Sequence, residues 1–465
     1  VSKHVVIVGA GLAGSLLAVY MARAGWRVTV FERRGDPRAR GYVGGRSINL
    51  ALSARGLAGL AGVGLDRVVM EHDAIAMPGR MIHAVDGALT YQPYSSNPRD
   101  AINSVSRGGL NLTLIRAAAA CEGVSMHFDS PCLDVYLDAP AAVFASQSGH
   151  TVRVEADLIV GTDGAFSAVR NRLMKTDRFD YSQTYLEHGY KELMIPSAKT
   201  LGMDEQRFGG FAIDPAALHI WPRGSAMMIA LPNRDHTFTC TLFWPFESAG
   251  GTVGLHALRS ADDIRGHFEK HYNDAAKIMP TLVEDYQRNP SSSLVTVRCY
   301  PWQHGGKVAL LGDACHAVVP FYGQGMNCAF EDCVCLDRCL REHPSDQMAA
   351  LDAYQRERKP NADAIAQMAL DNFIEMRDKV GRAEFLYKKK VEQTLHAALP
   401  ERVHPQYNLV SFSTVPYAQA LKSGRELDAK LERVIAQVPA SELEKLGKEA
   451  WAKRVVKTFV AQSAS

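Results

Sequence analysis

The chain has 465 residues, 47% hydrophobic and 22% charged, with a net charge of +2. That length allows two or three packed units of ordinary globular composition. The near-neutral charge gives no reason to expect nucleic acid or an anionic membrane as partner, and no run of about 18 apolar residues lacks polar interruption.

The first element is "HVVIVGAGLAG". It reads as a buried parallel strand, Val5 to Val8, followed by Gly9-x-Gly11-x-x-Gly14 and a helix running to Arg23. Gly25 stops the helix, and "RVTVFE" forms a second strand ending at Glu32. Gly9 suits a tight turn, Gly11 a close approach of backbone to a pyrophosphate, and Gly14 the packing of helix on strand. The helix N-terminus then faces phosphate. Glu32 falls about 20 residues on, where an acid binds ribose hydroxyls and disfavours a 2'-phosphate. The tight ligand is therefore expected to be NAD or FAD. No small-residue cleavage site follows, so the segment does not read as a signal peptide.

Next, "GRMIHAVDGALTYQPY" (79–94) reads as a hairpin around Asp86-Gly87. A three-residue loop is expected to set Arg80 directly opposite Tyr94. A guanidinium beside a phenol suits a carboxylate; the alternative is a surface cation stacked on an aromatic ring. "DLIVGTDGAFSAVRNRL" (157–173) is a strand, a turn with Asp163-Gly164, and a helix. Asp163 could serve a cofactor, cap that helix, or do both. Residues 176–260 read as an antiparallel meander and 262–290 as helical.

A third strand and turn, "KVALLGDACHAVVPFYGQGMN" (307–327), leads into a helix near Gly325. Three strand-end turns far apart in sequence can converge on one long cofactor. Asp313 suits a ribityl chain. The N–H groups of Gly325, Met326 and Asn327, with the helix dipole, suit negative charge on a reduced flavin. A nicotinamide offers neither feature, so FAD is expected. His316 reads as structural. Cys328, Cys333, Cys335 and Cys339 lack metal-ligand spacing and read as small core residues, so no metal is expected. Nine cysteines without framework spacing fit reduced thiols in the cytoplasm. From residue 346 the pattern is mostly helical, with a loop at 400–416 marked by three Pro. The tail 427–465 is charged and amphipathic, and reads as a docking helix rather than a membrane span.

The order and spacing of the three turns resemble the FAD-dependent aromatic-ring monooxygenases of the para-hydroxybenzoate hydroxylase type. Longer phrases narrow the resemblance to the kynurenine 3-monooxygenase family: "GRSINLALS" (45–53), "HGYKEL" (188–193), "ALHIWPRG" (217–224), "PFYGQGMN" (320–327) and "YNLVSFS" (407–413) among them. This resemblance implies tightly bound FAD, NADPH as a transient reductant, O2, and L-kynurenine as the ring hydroxylated. It implies FAD contacts at Gly9, Gly11, Ala13, Gly14, Phe31, Glu32, Arg33, Arg34, Ala51, Arg107, Cys132 (through backbone), Asp163, Asp313, Gly325, Met326 and Asn327. It implies substrate contacts at Arg80, Tyr94, Phe321, Asn372, Glu375, Met376 and Tyr407. Where the family often has His or Phe this chain has Tyr322, so no acid–base role is assigned there.

The expected architecture is α/β. A Rossmann-like FAD-binding unit is assembled from 1–75, 98–175 and 300–345, and interleaved with an antiparallel-sheet substrate unit, 76–97 and 176–299. A helical C-terminal region, 346–465, completes it, in a monomer or homodimer.

Overall fold

The computed structural model describes residues 2–40, 49–95, 97, 99–146, 149–378 and 383–462, without the side chains of Arg40 and of residues 376–378. The start of the "GRSINLALS" phrase, 45–48, therefore lies outside the described residues.

A six-stranded sheet forms the first layer. Its order is Gln303–His304, Val308–Leu310, Leu158–Gly161, His4–Val8, Arg27–Phe31, Val124–His127. All neighbours are parallel except the short edge strand Gln303–His304. Strand residues Val5, Val6 and Ile7 are fully buried, as a parallel strand covered on both faces requires. Helix Leu12–Arg23 packs against helices Arg107–Ala119 and Gly325–Glu342.

The second large sheet has seven strands in the order Ser292–Tyr300, Asp180–Ile195, Phe238–Pro245, Ala226–Pro232, Ala217–Arg223, Gly79–His83, Leu89–Pro93. Strand alternation splits its residues between two environments. Trp221, Met228, Ala230, Cys240, Leu242 and Trp244 enter a core with Ile264, Phe268, Leu282 and Tyr286 of the helices behind. Each such large side chain contributes about 1.5–3 kcal/mol on burial. The alternate positions, including Arg80, Leu218, Ile229, Leu231 and Phe243, face a cavity.

The hairpin corrects one expectation. Ala84 N donates to Ala88 O, so the three-residue loop is Val85–Gly87, centred one residue earlier than expected. Arg80 therefore pairs with Gln92, and Tyr94 lies two positions further on the same face. The diagonal is still short enough for contact.

Helices Ala383–Ala398, Tyr417–Gln437 and Lys448–Gln462 pack through residues spaced a turn apart: Tyr387, Val391 and Leu395; Leu427, Leu431 and Val434; Trp451, Val455 and Phe459. The amphipathic tail thus docks on its neighbours. No described helix is long and apolar enough to cross a membrane. Within the expected loop 400–416 sits a short helix, Gln406–Ser411, started by Pro405. Three Pro mask it, yet Pro is favoured at helix starts.

Candidate active site

A continuous cavity of about 2040 Å³ joins the C-terminal ends of the parallel strands to the open face of the antiparallel sheet. On the first side its wall is mostly backbone. Gly9 has φ +105°, and a Cβ there would lie 2.8 Å from the Thr162 carbonyl oxygen. A Cβ on Gly14 would lie 2.0 Å from the Gly9 oxygen and 2.4 Å from Thr162 Oγ1. Only glycine lets helix and strand ends meet this closely. A Cβ on Gly11 would meet nothing within 4 Å, because that position faces open space.

Glu32 is pinned at the wall: its Oε2 accepts from Ala10 N–H and its Oε1 from Arg34 N–H, each at 2.9 Å. Ala13, Phe31, Arg33, Arg34, Ala51, Arg107, Cys132, Asp163, Asp313, Gly325 and Met326 also line the cavity. Phe31 stacks on Phe144 with ring centroids 3.7 Å apart. Asp163 Oδ2 accepts from Ala168 N–H at 2.7 Å, which supports the following helix. Its Oδ1 is buried without a hydrogen-bond partner. Burial raises the Asp163 pKa, opposed by the hydrogen bonds it accepts.

Gly14 and Asn327 do not line the cavity. Gly14 acts in packing. The Asn327 carboxamide turns away: Oδ1 accepts from Ser53 N–H at 3.0 Å, and Nδ2 donates to Ala51 O at 2.8 Å and Gly323 O at 2.9 Å. It ties the 51–53 segment to the start of helix Gly325–Glu342, whose first-turn N–H groups remain oriented by the helix.

Beneath this helix lies a buried ionic cluster. Asp332 Oδ2 meets His316 Nε2 at 2.5 Å and accepts from Gly312 N–H at 3.1 Å; Oδ1 accepts from Arg358 Nε at 2.6 Å. Burial alone would raise the Asp332 carboxyl, but His316 and Arg358 pull it down to about 2. Burial alone would lower His316, and the Asp332 charge instead holds it well above its usual value. His316, Cys328 and Asp332 lie close enough to suggest a metal site. Arg358 engages those ligand atoms itself: its Nη2 donates to Cys328 Sγ at 3.3 Å and its Nε to Asp332 Oδ1 at 2.6 Å. Cys333, Cys335 and Cys339 are buried core residues.

On the far side the wall is made of side chains. The Arg80 guanidinium lies 5.8 Å from the Tyr94 ring and 6.0 Å from the Tyr407 ring. Tyr407 stacks with Tyr94 at 5.3 Å and with Tyr322 at 5.7 Å. Phe321 sits between Phe243 at 5.2 Å and Phe373 at 4.6 Å. Asn372 Nδ2 donates to Phe321 O at 2.7 Å, which fixes that turn. Glu375 lines the cavity with Lys389 Nζ 3.9 Å away. The Met376 side chain lies outside the described residues. Burial raises the phenols of Tyr94, Tyr322 and Tyr407, so all three stay protonated at neutral pH. Arg80 Nε and Tyr94 Oη are both buried with no hydrogen-bond partner. Two adjacent buried donors call for an acceptor.

Residues 2–369 match the FAD binding domain family. The chain is 47% identical over 435 residues to a kynurenine 3-monooxygenase of Dictyostelium discoideum, covering 91% of each chain. It is 45% identical over 439 residues to one of Myxococcus xanthus (strain DK1622), covering 94% of this chain and 92% of the relative. The chain belongs to the kynurenine 3-monooxygenase family. The tetrameric form of 2-methyl-3-hydroxypyridine-5-carboxylic acid oxygenase shares the fold, with a TM-score of 0.64 at 21% identity over 83% of this chain and 95% of that one.

For a member of the kynurenine 3-monooxygenase family, the apolar floor of the cavity is as notable as its charges. Leu218, Ile229, Leu231, Met227 and Phe243 line it. Their alternation within strands 217–245 is visible in the sequence, but which of the two apolar faces is open depends on the helices packed behind the other.

Proposed function

We propose that the protein binds FAD along the backbone wall and uses NADPH and O2 to convert L-kynurenine to 3-hydroxykynurenine, with NADP+ and water as the other products. The observation that carries this reading is the pair of unpartnered buried donors, Arg80 Nε and Tyr94 Oη, set in an aromatic chamber continuous with the glycine-rich turns.

The fit of FAD rests on chain features. Gly11 leaves open space for a pyrophosphate, Arg107 adds positive charge, and the orphaned Asp163 Oδ1 and exposed Asp313 offer acceptors for hydroxyl groups. When bound, FAD supplies electron transfer from NADPH and the activation of O2.

The protein's own residues do the rest. Arg80 binds the substrate carboxylate as a charged fork, and the Tyr94 hydroxyl donates a second hydrogen bond. Glu375 offers a carboxylate to the substrate ammonium. Phe321, Tyr322, Phe243 and the aliphatic floor hold the ring and exclude water, which would otherwise compete at the reacting atoms. The anilino nitrogen already activates the ring, so no strong protein base is required. Nine free cysteines, seven of them buried, support a reducing cytoplasmic setting.

The test is NADPH oxidation by the purified holoprotein with and without L-kynurenine, with the product identified by mass. Stimulated oxidation and a product one oxygen heavier are expected. Tight flavin with no stimulation overturns the assignment.

A further inference from the structure

We infer that Arg55 is a positioning residue for substrate binding, which clamps the Tyr407 helix to the flavin-side turn at Gln324; the substrate part of this inference rests on the proposed function. Arg55 is fully buried and does not line the cavity. It starts from helix Ala54–Ala61, directly after the cavity-lining strand Asn49–Leu52.

Its donors reach across the molecule. Nε donates to Val410 O at 2.7 Å, and Nη2 to Leu409 O at 3.1 Å and to Val415 O. These carbonyls close the short helix Gln406–Ser411, which carries Tyr407, and the turn after it. The last carbonyls of a helix lack partners within it, and here one guanidinium serves them. Nη1 donates to Glu331 Oε1 at 2.8 Å, which offsets the buried charge.

A second chain of contacts runs from the same point. The Arg55 guanidinium lies 3.9 Å from the Tyr417 ring centroid. Tyr417 Oη donates to Gln324 Oε1 at 2.9 Å, and Ser53 Oγ lies 3.4 Å from the same oxygen. Gln324 immediately precedes the helix that faces the cavity at Gly325 and Met326. Arg55 thus sets the spacing between the ring wall and the flavin wall. A lysine keeps the charge but has no planar fork to serve both helix carbonyls and Glu331.

The test compares flavin-loaded wild type with Arg55→Lys in two arms. In hydrogen exchange, amides of 406–417 should open at least about tenfold faster in the variant, while strand His4–Val8 is unchanged. Uniform acceleration across the fold would mean a general stability role and overturn the inference. In kinetics, Arg55→Lys should raise the KM for L-kynurenine roughly tenfold with flavin content retained. That effect should largely vanish in a Tyr407→Leu background, because the two residues act as a unit. Additive effects would overturn it. If wild type does not turn over L-kynurenine, the proposed function falls while the exchange arm still decides Arg55. Should Arg55→Lys not fold, Tyr417→Phe removes only the hydroxyl to Gln324 and is read by the same exchange pattern.

Discussion

The two walls of the cavity are built on different plans. The wall at the parallel-strand ends, where we place the flavin, is mostly backbone: strand ends, glycines and helix N-termini whose geometry is set within a few residues of each turn. The opposite wall, where we place the substrate, is side chains from the hairpin, the antiparallel sheet and two C-terminal helices. Where helix and strand ends meet, at Gly9 and Gly14, the backbone wall has no room for an added atom, whereas a side-chain wall loses function by degrees. Substitutions should therefore separate the two ligands.

The largest effect is expected from Gly14→Val, which forces atoms into the Gly9 oxygen at a point already 2.0 Å from a Cβ. Flavin absorbance per protein should fall close to zero, with a lower Tm. A variant that keeps its flavin would break the distinction. Asp332→Asn strikes the foundation of the same wall and should cost about 3–5 kcal/mol by leaving buried charges unpaired. Its pH signature follows from the signs of the shifts. The Asp332 pKa is depressed to about 2, so its contribution is present above about 4 and lost as pH falls toward 2. His316 is raised, so its contribution is full below about 6.5 and lost as pH rises through its folded value. The Tm gap between wild type and variant should therefore be widest between about pH 4 and 6.5.

Arg80→Leu tests the other wall. The KM for L-kynurenine should rise roughly 30- to 150-fold, equivalent to about 2–3 kcal/mol, with flavin content unchanged. Equal loss of both ligands would merge the walls. Tyr94→Phe should be mildest, costing about 1.5 kcal/mol in substrate binding, the low end for a hydrogen bond to a charged group, because a neutral hydroxyl is lost while the Arg80 charge stays.

The same contrast explains what was legible in the sequence. That the glycine turns, Glu32, Asp163 and Asp313 gather at one end of the cavity is readable because strand, turn and helix lie side by side in the chain. The hairpin was read with the right loop length but one position out, since either of two adjacent centres satisfied the Asp86-Gly87 signal. Asn327 is expected to act through its N–H at a helix N-terminus; what the sequence hides is the second task of its side chain, which ties Ala51, Ser53 and Gly323 together. Arg55 carried no local signal at all, because its acceptor Val410 O is 355 residues away.

The central strand of the parallel sheet is its first in sequence, yet one neighbour is Leu158–Gly161 and the next beyond it Val308–Leu310. During synthesis that strand leaves the ribosome long before its partners exist. The landing place proposed for the prosthetic group is complete only once the chain through about residue 330 has emerged, so the group cannot template the earlier strands. Until Leu158–Gly161 emerges, one edge of strand His4–Val8 has no neighbour, and helix Leu12–Arg23 with strand Arg27–Phe31 are the first elements able to shield it.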